Sequence, residues 1–438
     1  SASATAIVMF ETVPTPSLVM YRIGYTFGGS EYWPSSSDRS QAVDYIGRAY
    51  PLGNLHVWNR SLNFGAASRV SDGYGGYTLT SPSCGQVNTL LWNKKIWDIV
   101  TSSGIPIMAH YYGMVSDAKG FMRGCAAGIP AFNAAGPTGS STWGWDLDGS
   151  YGDWYAAHEL GHTYGRGHAN YCGAGGGPSY PYTAGNISPA SSGDTAIYGF
   201  DVGTRAIYGP GWKDLMTYCD YEWLSDFTYE GLLDFFQGSG GAGAGPAAAG
   251  DPHANPMDRL VVTGSIDPTT NAVSLARLYV LPSAGNASPS TPGEYAIVLR
   301  GAKDSQLARY AFTPIAMFYG PDPAGSPTTD LLAIKELVPY VNGTIKVEIL
   351  GPGDALLATV EAGLQPPTIA VTSPTEGQVL SGDPLGVAWT ASDPDGDPLT
   401  FNLQYTHDGG ANWELVAQEV AAQEVAVEAV NLPAGGVG

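Results

Sequence analysis

Read for its alternation of apolar and polar positions, the chain divides into one stretch of mixed strand and helix and two strand-rich stretches. TAIVMFE (5–11) and LVMYRIGYTF (18–27) are nearly continuous apolar runs rich in β-branched and aromatic residues, which predicts strands. DRSQAVDYIGRAY (38–50) has apolar residues at helical spacing, LHVWNRSLNF (55–64) reads as a strand, and QVNTLLWNKKIWDIVTSS (86–103) as a second helix. IPIMAHYYGMV (105–115) predicts another strand, RGCAAGIPAF (123–132) and STWGWDLD (141–148) shorter extended pieces, and YEGLLDFFQ (229–237) a closing helix. Residues 238–252, GSGGAGAGPAAAGDP, offer almost no side chain that packs, so they predict a flexible linker and a preferred nicking point. Residues 1–237 are then expected to be separable. Beyond the linker, RLVVTGSID, AVSLARLYVL, GEYAIVLRG, LARYAFTP and GTIKVEILG predict a β-sandwich over 253–364. A second β-domain is expected over 365–438, with strands in LGVAWTASD, LTFNLQYTHDGGANWELVA and AVEAVNLPAG.

The candidate chemistry lies between the second and third predicted helices of the first stretch, in AAHELGHTYGRGHANYC (156–172). It holds three of the chain's seven histidines. On a helix, residues four apart leave the same face, so His158 and His162 can chelate one ion while Glu159 sits on the next flank. Continued helix would carry His168 about 9 Å further and off that face. Gly165 changes this, because glycine tolerates positive φ and ends helices, letting the chain turn back to bring His168 to the same ion. Three imidazoles on a tetrahedral zinc leave the fourth position for water, and Glu159 can take that water's proton as general base. The competing reading is a helix that merely carries solvated histidines. The five filled positions of HExxHxxGxxH argue against it.

With KDLMTYCDYEW (213–223) added, the sequence resembles the metzincin clan of zinc endopeptidases, in which the long histidine motif is followed by a methionine turn beneath the metal. The resemblance spans at most residues 1–237 and makes Met216, 48 residues after His168, the turn methionine. On its own Met216 reads as core packing. Tyr218 matches the Met-x-Tyr pattern of astacin-like and serralysin-like branches, where that tyrosine assists the transition state; a tyrosine capping the core is the other reading. Ala169 fits none of the familiar branches, so the subfamily stays open. HELGHTYGRGH with YPY, DLMTYC and WLSDFTY also resembles large secreted bacterial zinc proteases with tandem β-domains. The resemblance implies a multidomain fold, an α/β metzincin-like domain followed by the β-sandwich. It also implies that substrate pairs antiparallel with an edge strand above the zinc helix, for which RGCAAGIPAF is the candidate. PPTIAVTSPTEGQVL opens a segment similar to an immunoglobulin or fibronectin type III module, expected to be incomplete at residue 438.

Charge and cysteines narrow the function classes. Net charge is −21, from 40 acidic and 19 basic residues, so there is no basic stripe to meet phosphates and nucleic acid is excluded as a partner. No run of about 18 apolar residues exists, so no membrane span is expected. The even set Cys84, Cys125, Cys172 and Cys219 allows three pairings and points to structural disulfides and a secreted or cell-surface location. The metzincin resemblance, which brings the third histidine and the methionine turn together, implies Cys172 with Cys219 and Cys84 with Cys125. Calcium is a second candidate cation, at Asp393, Asp395 and Asp397 of DPDGDP, although turn chemistry is the favoured reading there. DLDGSYGD (146–153) is read as a loop, Asp153 as a helix N-cap, and THDGGANW (406–413) as a structural Asp-box-like hairpin. The expected function is zinc-dependent endopeptidase acting on protein or glycoprotein. Its rivals are a mucin-directed protease that binds through the β-domains, and an inactive adhesion protein, which would have no reason to keep Glu159.

Overall fold

The computed structural model describes residues 13 to 427 except 14, 72–75, 101–104, 107, 122, 140–144, 146–150, 176–179, 239–257, 277, 282–291, 320–330, 364, 380, 382–383, 407–408 and 410–413. The predicted strand 5–11, most of 141–148, the linker and most of the Asp-box hairpin lie outside the described residues.

The first run of apolar sequence becomes β1 (Ser17–Phe27), and its composition follows from being buried on both faces. Leu18 and Met20 point into one core, which also holds helices α1 (Ser36–Ala49) and α3 (Gly152–Thr163). Val19, Tyr21 and Ile23 point into the other, against α2 (Cys84–Val100). The period of two along the strand thus feeds two cores from one segment. α1 begins with a capping box, in which the Ser35 side chain accepts from Asp38 N–H and the Asp38 carboxylate from Ser35 N–H. Its buried residues Ala42, Tyr45, Ile46 and Ala49 form one helical stripe.

β1 is flanked in parallel by β2 (His56–Ala66) and β3 (His110–Ser116); β4 (Cys125–Ala126) and β5 (Asn133–Thr138) complete this side of the sheet. The spatial order is β2-β1-β3-β5-β4, and of these only β4 runs antiparallel to its neighbour, with Cys125 opposite Ala135. α3 follows β5, is buried along all twelve residues and starts one residue before Asp153, which lies in its first turn with Tyr151 as N-cap. Asp153 is therefore not the cap. Between α3 and α4 (Asp226–Phe236) the backbone is mostly irregular, crossed by two short bridging pairs, Gly199–Phe200 with Ile207–Tyr208 and Lys213–Asp214 with Glu222–Trp223.

In the C-terminal half, β6 (Arg259–Ile266) and β7 (Tyr295–Arg300) belong to two sheets that share one core, Leu260, Val262 and Ile334 meeting Ile297, Leu299 and Ile349. Two longer strands there were not among the sequence expectations, β10 (Leu332–Pro339), which pairs with β6, and β11 (Leu356–Glu361). The unexpected short strand β9 (Phe318–Tyr319), which follows β8 (Gln306–Phe312), leaves this unit altogether and pairs antiparallel with β4. Trp92, Ile96 and Trp97 of α2 pack on Val261, Tyr279 and Leu337. Residues 1–237 thus share strand pairing and apolar contact with the C-terminal half, and cutting after 237 would expose a sheet edge and the outer apolar face of α2. The last strands, from β12 (Thr368–Ser373) to β13 (Glu424–Val427), form two small sheets around Trp389, whose ring meets Phe401 edge-on at 5.1 Å.

Candidate metal centre

α3 ends at Thr163, and the reversal expected at Gly165 is present, with φ +86°. Gly165 N–H donates to His162 O and Arg166 N–H to Gly161 O, closing the helix and sending the chain back beneath it. His158, His162 and His168 meet there, one nitrogen of each within 4.8 Å of the others. All three are buried.

Their hydrogen bonds decide which nitrogen faces inward. His158 Nδ1 donates to the Leu215 carbonyl at 2.7 Å, His162 Nδ1 to Arg166 O at 2.7 Å and His168 Nδ1 to Gly175 O at 2.7 Å. Carbonyls only accept, so each ring carries its proton on Nδ1 and turns a bare Nε2 lone pair toward the others. The 3.0 Å between His162 Nε2 and His168 Nε2 is then not a hydrogen bond, since neither atom has a proton to give. It is close to the spacing of about 3.4 Å that tetrahedral ligands take around one zinc. Burial lowers all three imidazole pKa values, His158 to about 3 with help from His168, which keeps the rings in the neutral ligating form. The group fits a zinc ion in donor type, count and tautomer. Among the described residues, His158 Nε2 and both carboxylate oxygens of Glu159 have no hydrogen-bond partner, although both residues are fully buried. Such orphaned buried groups call for a ligand. Burial also raises Glu159 well above the usual carboxylate range, making it a stronger proton acceptor, whereas a cation at the three nitrogens would act in the opposite sense.

Met216 lies beneath the helix, 1% exposed, where Gly161 allows it in: a Cβ on Gly161 would stand 2.9 Å from the methionine sulfur. The turn around it is built by Asp214, whose carboxylate accepts from Met216 N–H, Ser225 N–H and Ser225 Oγ–H. Ala169 N–H donates to Met216 O, so the loop after the third histidine is tied to the turn. Cys172 is bonded to Cys219 beside it, and Cys84 to Cys125 on the opposite face of the sheet. The Tyr218 hydroxyl stands 3.1 Å from His168 Nε2, at the mouth of the nitrogen cluster.

Of the remaining histidines, His56 is exposed and stacks on Trp58, while His110 is buried with Nδ1 at Thr163 Oγ1; His253 and His407 lie outside the described residues. Asp393, Asp395 and Asp397 lie together at the surface, where Asp393 accepts from Asp395 N–H and Asp397 N–H as turn carboxylates do.

Sequence reading passed over four residues that shape the site. Asp214, two places before the methionine, carries a recognisable Asx-turn signal. Glu222 is buried and accepts from Thr217 Oγ–H and Cys219 N–H, holding the far side of the same turn. Arg123 is half-buried at φ +69°, a conformation that costs a non-glycine residue about 1–2 kcal/mol; burial pushes the Tyr155 and Tyr218 hydroxyls up, and the Arg123 charge opposes that shift in part. Gly124 lies against Glu159: an added Cβ would stand 2.3 Å from Oε1 and 2.5 Å from Cγ. Gly124→Ala should therefore displace the carboxylate in a pocket with no room for it. If the site hydrolyses peptides as the sequence resemblance implies, kcat should fall about 100-fold while overpacking costs about 1–3 kcal/mol of stability, read by peptide hydrolysis and calorimetry on one preparation. Equal losses of activity and folded protein would show that Gly124 is needed only for folding.

Compared with known proteins, the chain matches no family model and no curated protein. Among the described residues, no helix is long and apolar enough to cross a membrane.

Proposed function

We propose that the chain is a secreted zinc-dependent endopeptidase of metzincin type that hydrolyses peptide bonds in proteins or glycoproteins. The observation that carries this reading is the convergence of three histidine Nε2 atoms, each ring protonated on Nδ1, in the site that holds the buried carboxylate of Glu159, whose oxygens have no partner among the described residues. The parallel strands β2-β1-β3-β5 with antiparallel β4 beside them, the helix reversal at Gly165 and Met216 under the helix support it further. The two disulfides support an extracytoplasmic setting. The sheets after residue 259 are read as a β-sandwich and an immunoglobulin or fibronectin III-like module.

His158, His162 and His168 would hold the metal. When bound, zinc supplies Lewis acidity, polarising a carbonyl oxygen and bringing the pKa of water toward neutrality. Glu159 accepts the proton of the attacking water at a carboxylate oxygen and returns it to the leaving amine nitrogen. The Tyr218 hydroxyl, facing the same point, donates a hydrogen bond to the oxygen that gains charge in the transition state. The Nδ1 bonds to Leu215, Arg166 and Gly175 carbonyls keep the imidazoles from rotating away.

Chelation should abolish hydrolysis of a casein or a peptide library, and one zinc per chain should restore it. Metal analysis after dialysis into zinc buffer is the independent readout. Undiminished hydrolysis in chelator, or no bound metal, would overturn the assignment.

A further inference from the structure

Gly124, one residue before β4, lies against Glu159, so on the protease reading a peptide held at the three histidines lies alongside Gly124. The backbone next to such a peptide is the outer edge of β4. Sheet edges bind extended peptides by offering unpaired N–H and C=O groups. Here those groups are already used. β9 lies antiparallel along β4, Phe318 opposite Ala126 and Tyr319 opposite Cys125.

The contacts around β9 show that it is seated rather than resting there. Ile315 presses on the segment after β4, its Cγ2 2.7 Å from where a Gly128 Cβ would stand. Lys335 Nζ donates to Ala127 O at 3.2 Å and to Asn133 Oδ1 at 3.3 Å, bridging β4 and β5 from β10. Met317, 3% exposed, packs over Gly85 in the first turn of α2, and its N–H donates to Leu331 O.

We infer that β9 is a built-in specificity element: it fills the strand-pairing positions opposite Cys125 and Ala126, so an extended substrate is not read by strand pairing on the N-terminal side of the cut. The polarity follows from β9 itself. It runs antiparallel to β4, the more stable sense of pairing, with its C-terminal end directed toward Gly124. A substrate bound in the same sense would need its N-terminal residues where β9 lies. Recognition is left to residues after the scissile bond. The inference rests on the protease reading.

The test uses the full, zinc-loaded chain and a fluorogenic peptide series that shares its residues after the cut and grows from one to four residues before it. A net backbone hydrogen bond contributes about fivefold, so two ladder positions would raise kcat/KM by about tenfold or more if they were open. The expected result is a change of less than about twofold over the series, against a loss of about tenfold when residues after the cut are removed. A tenfold gain from N-terminal extension overturns the inference alone. A chain that holds zinc and cleaves no peptide overturns the protease reading and the inference with it. Phe318→Pro combined with Tyr319→Pro removes the N–H groups of β9; if the variant folds, N-terminal extension should now increase kcat/KM by about fivefold or more. Should it not fold, the series on the unaltered chain decides.

Discussion

Glu159→Gln is expected to give a protein that folds and binds zinc like the parent yet turns peptide over at about 1% of the parent rate or less. The substitution keeps the shape of the side chain, which matters because the group is fully buried and Gly124 leaves it no freedom. It removes only the ability to take a proton. A neutral amide is also easier to bury than a carboxylate whose pKa burial has already raised, so folding should not suffer. The three histidines keep their Nδ1 bonds to backbone carbonyls, none of which involves Glu159, so the metal should stay. The discriminating measurement is therefore a set of three on one sample: zinc content, melting temperature and kcat. Full zinc with more than a few per cent of parent kcat would remove Glu159 from the role of base and leave a metal-binding protein whose chemistry lies elsewhere.

How much of this was legible depended on how local the signal was. The histidines, Glu159 and the glycine that reverses the chain lie within one short segment, and helix geometry alone places them. β1 was legible because burial on both faces leaves a nearly continuous apolar run, and α1 because its apolar stripe and capping box agree. Leu332–Pro339 was not legible: Lys335 and Glu336 interrupt the apolar pattern, and the strand persists because it pairs along its whole length with β6. Lys335 makes sense only across the boundary, where it reaches Ala127 and Asn133. The same holds for β9, a two-residue strand with no period to read. The edge that RGCAAGIPAF was expected to offer is present as β4, but its occupation by β9 depends on residues almost two hundred positions away. Gly124 and Arg123 were missed for a related reason. A glycine that makes room for a carboxylate looks, in sequence, like any other glycine in a chain with 59 of them.

The second large effect concerns the bond between Cys172 and Cys219. The loop it closes, Cys172 to Cys219, has among the described residues only short bridging pairs and no helix longer than one turn, so it has little regular structure to hold its own shape. What holds it is a few backbone bonds, Ala169 N–H to Met216 O and Tyr218 N–H to Tyr171 O among them, the Asp214 and Glu222 turn contacts, and the disulfide. Closing a loop with a sequence separation of 47 contributes about 4 kcal/mol in the chain-entropy model. Replacing both cysteines by serine should release that amount locally, because Leu215 and Gly175, whose carbonyls anchor His158 and His168, both belong to the loosened loop. Zinc affinity is therefore expected to fall by as much as roughly a thousandfold. Hydrogen exchange should rise at Ala169 and Met216 while Tyr111 to Val115, in the middle of the parallel sheet, stays protected. The matching Cys84→Ser, Cys125→Ser variant tests the other side of the sheet, where the bond ties α2 to β4 and carries none of the three histidines or the carbonyls that anchor them. It should lower the melting temperature without the same loss of zinc. If instead both pairs of substitutions weaken zinc equally, the lower loop is held by the global fold and not by its own disulfide, and the placement of Met216 beneath the ligands does not depend on the bond.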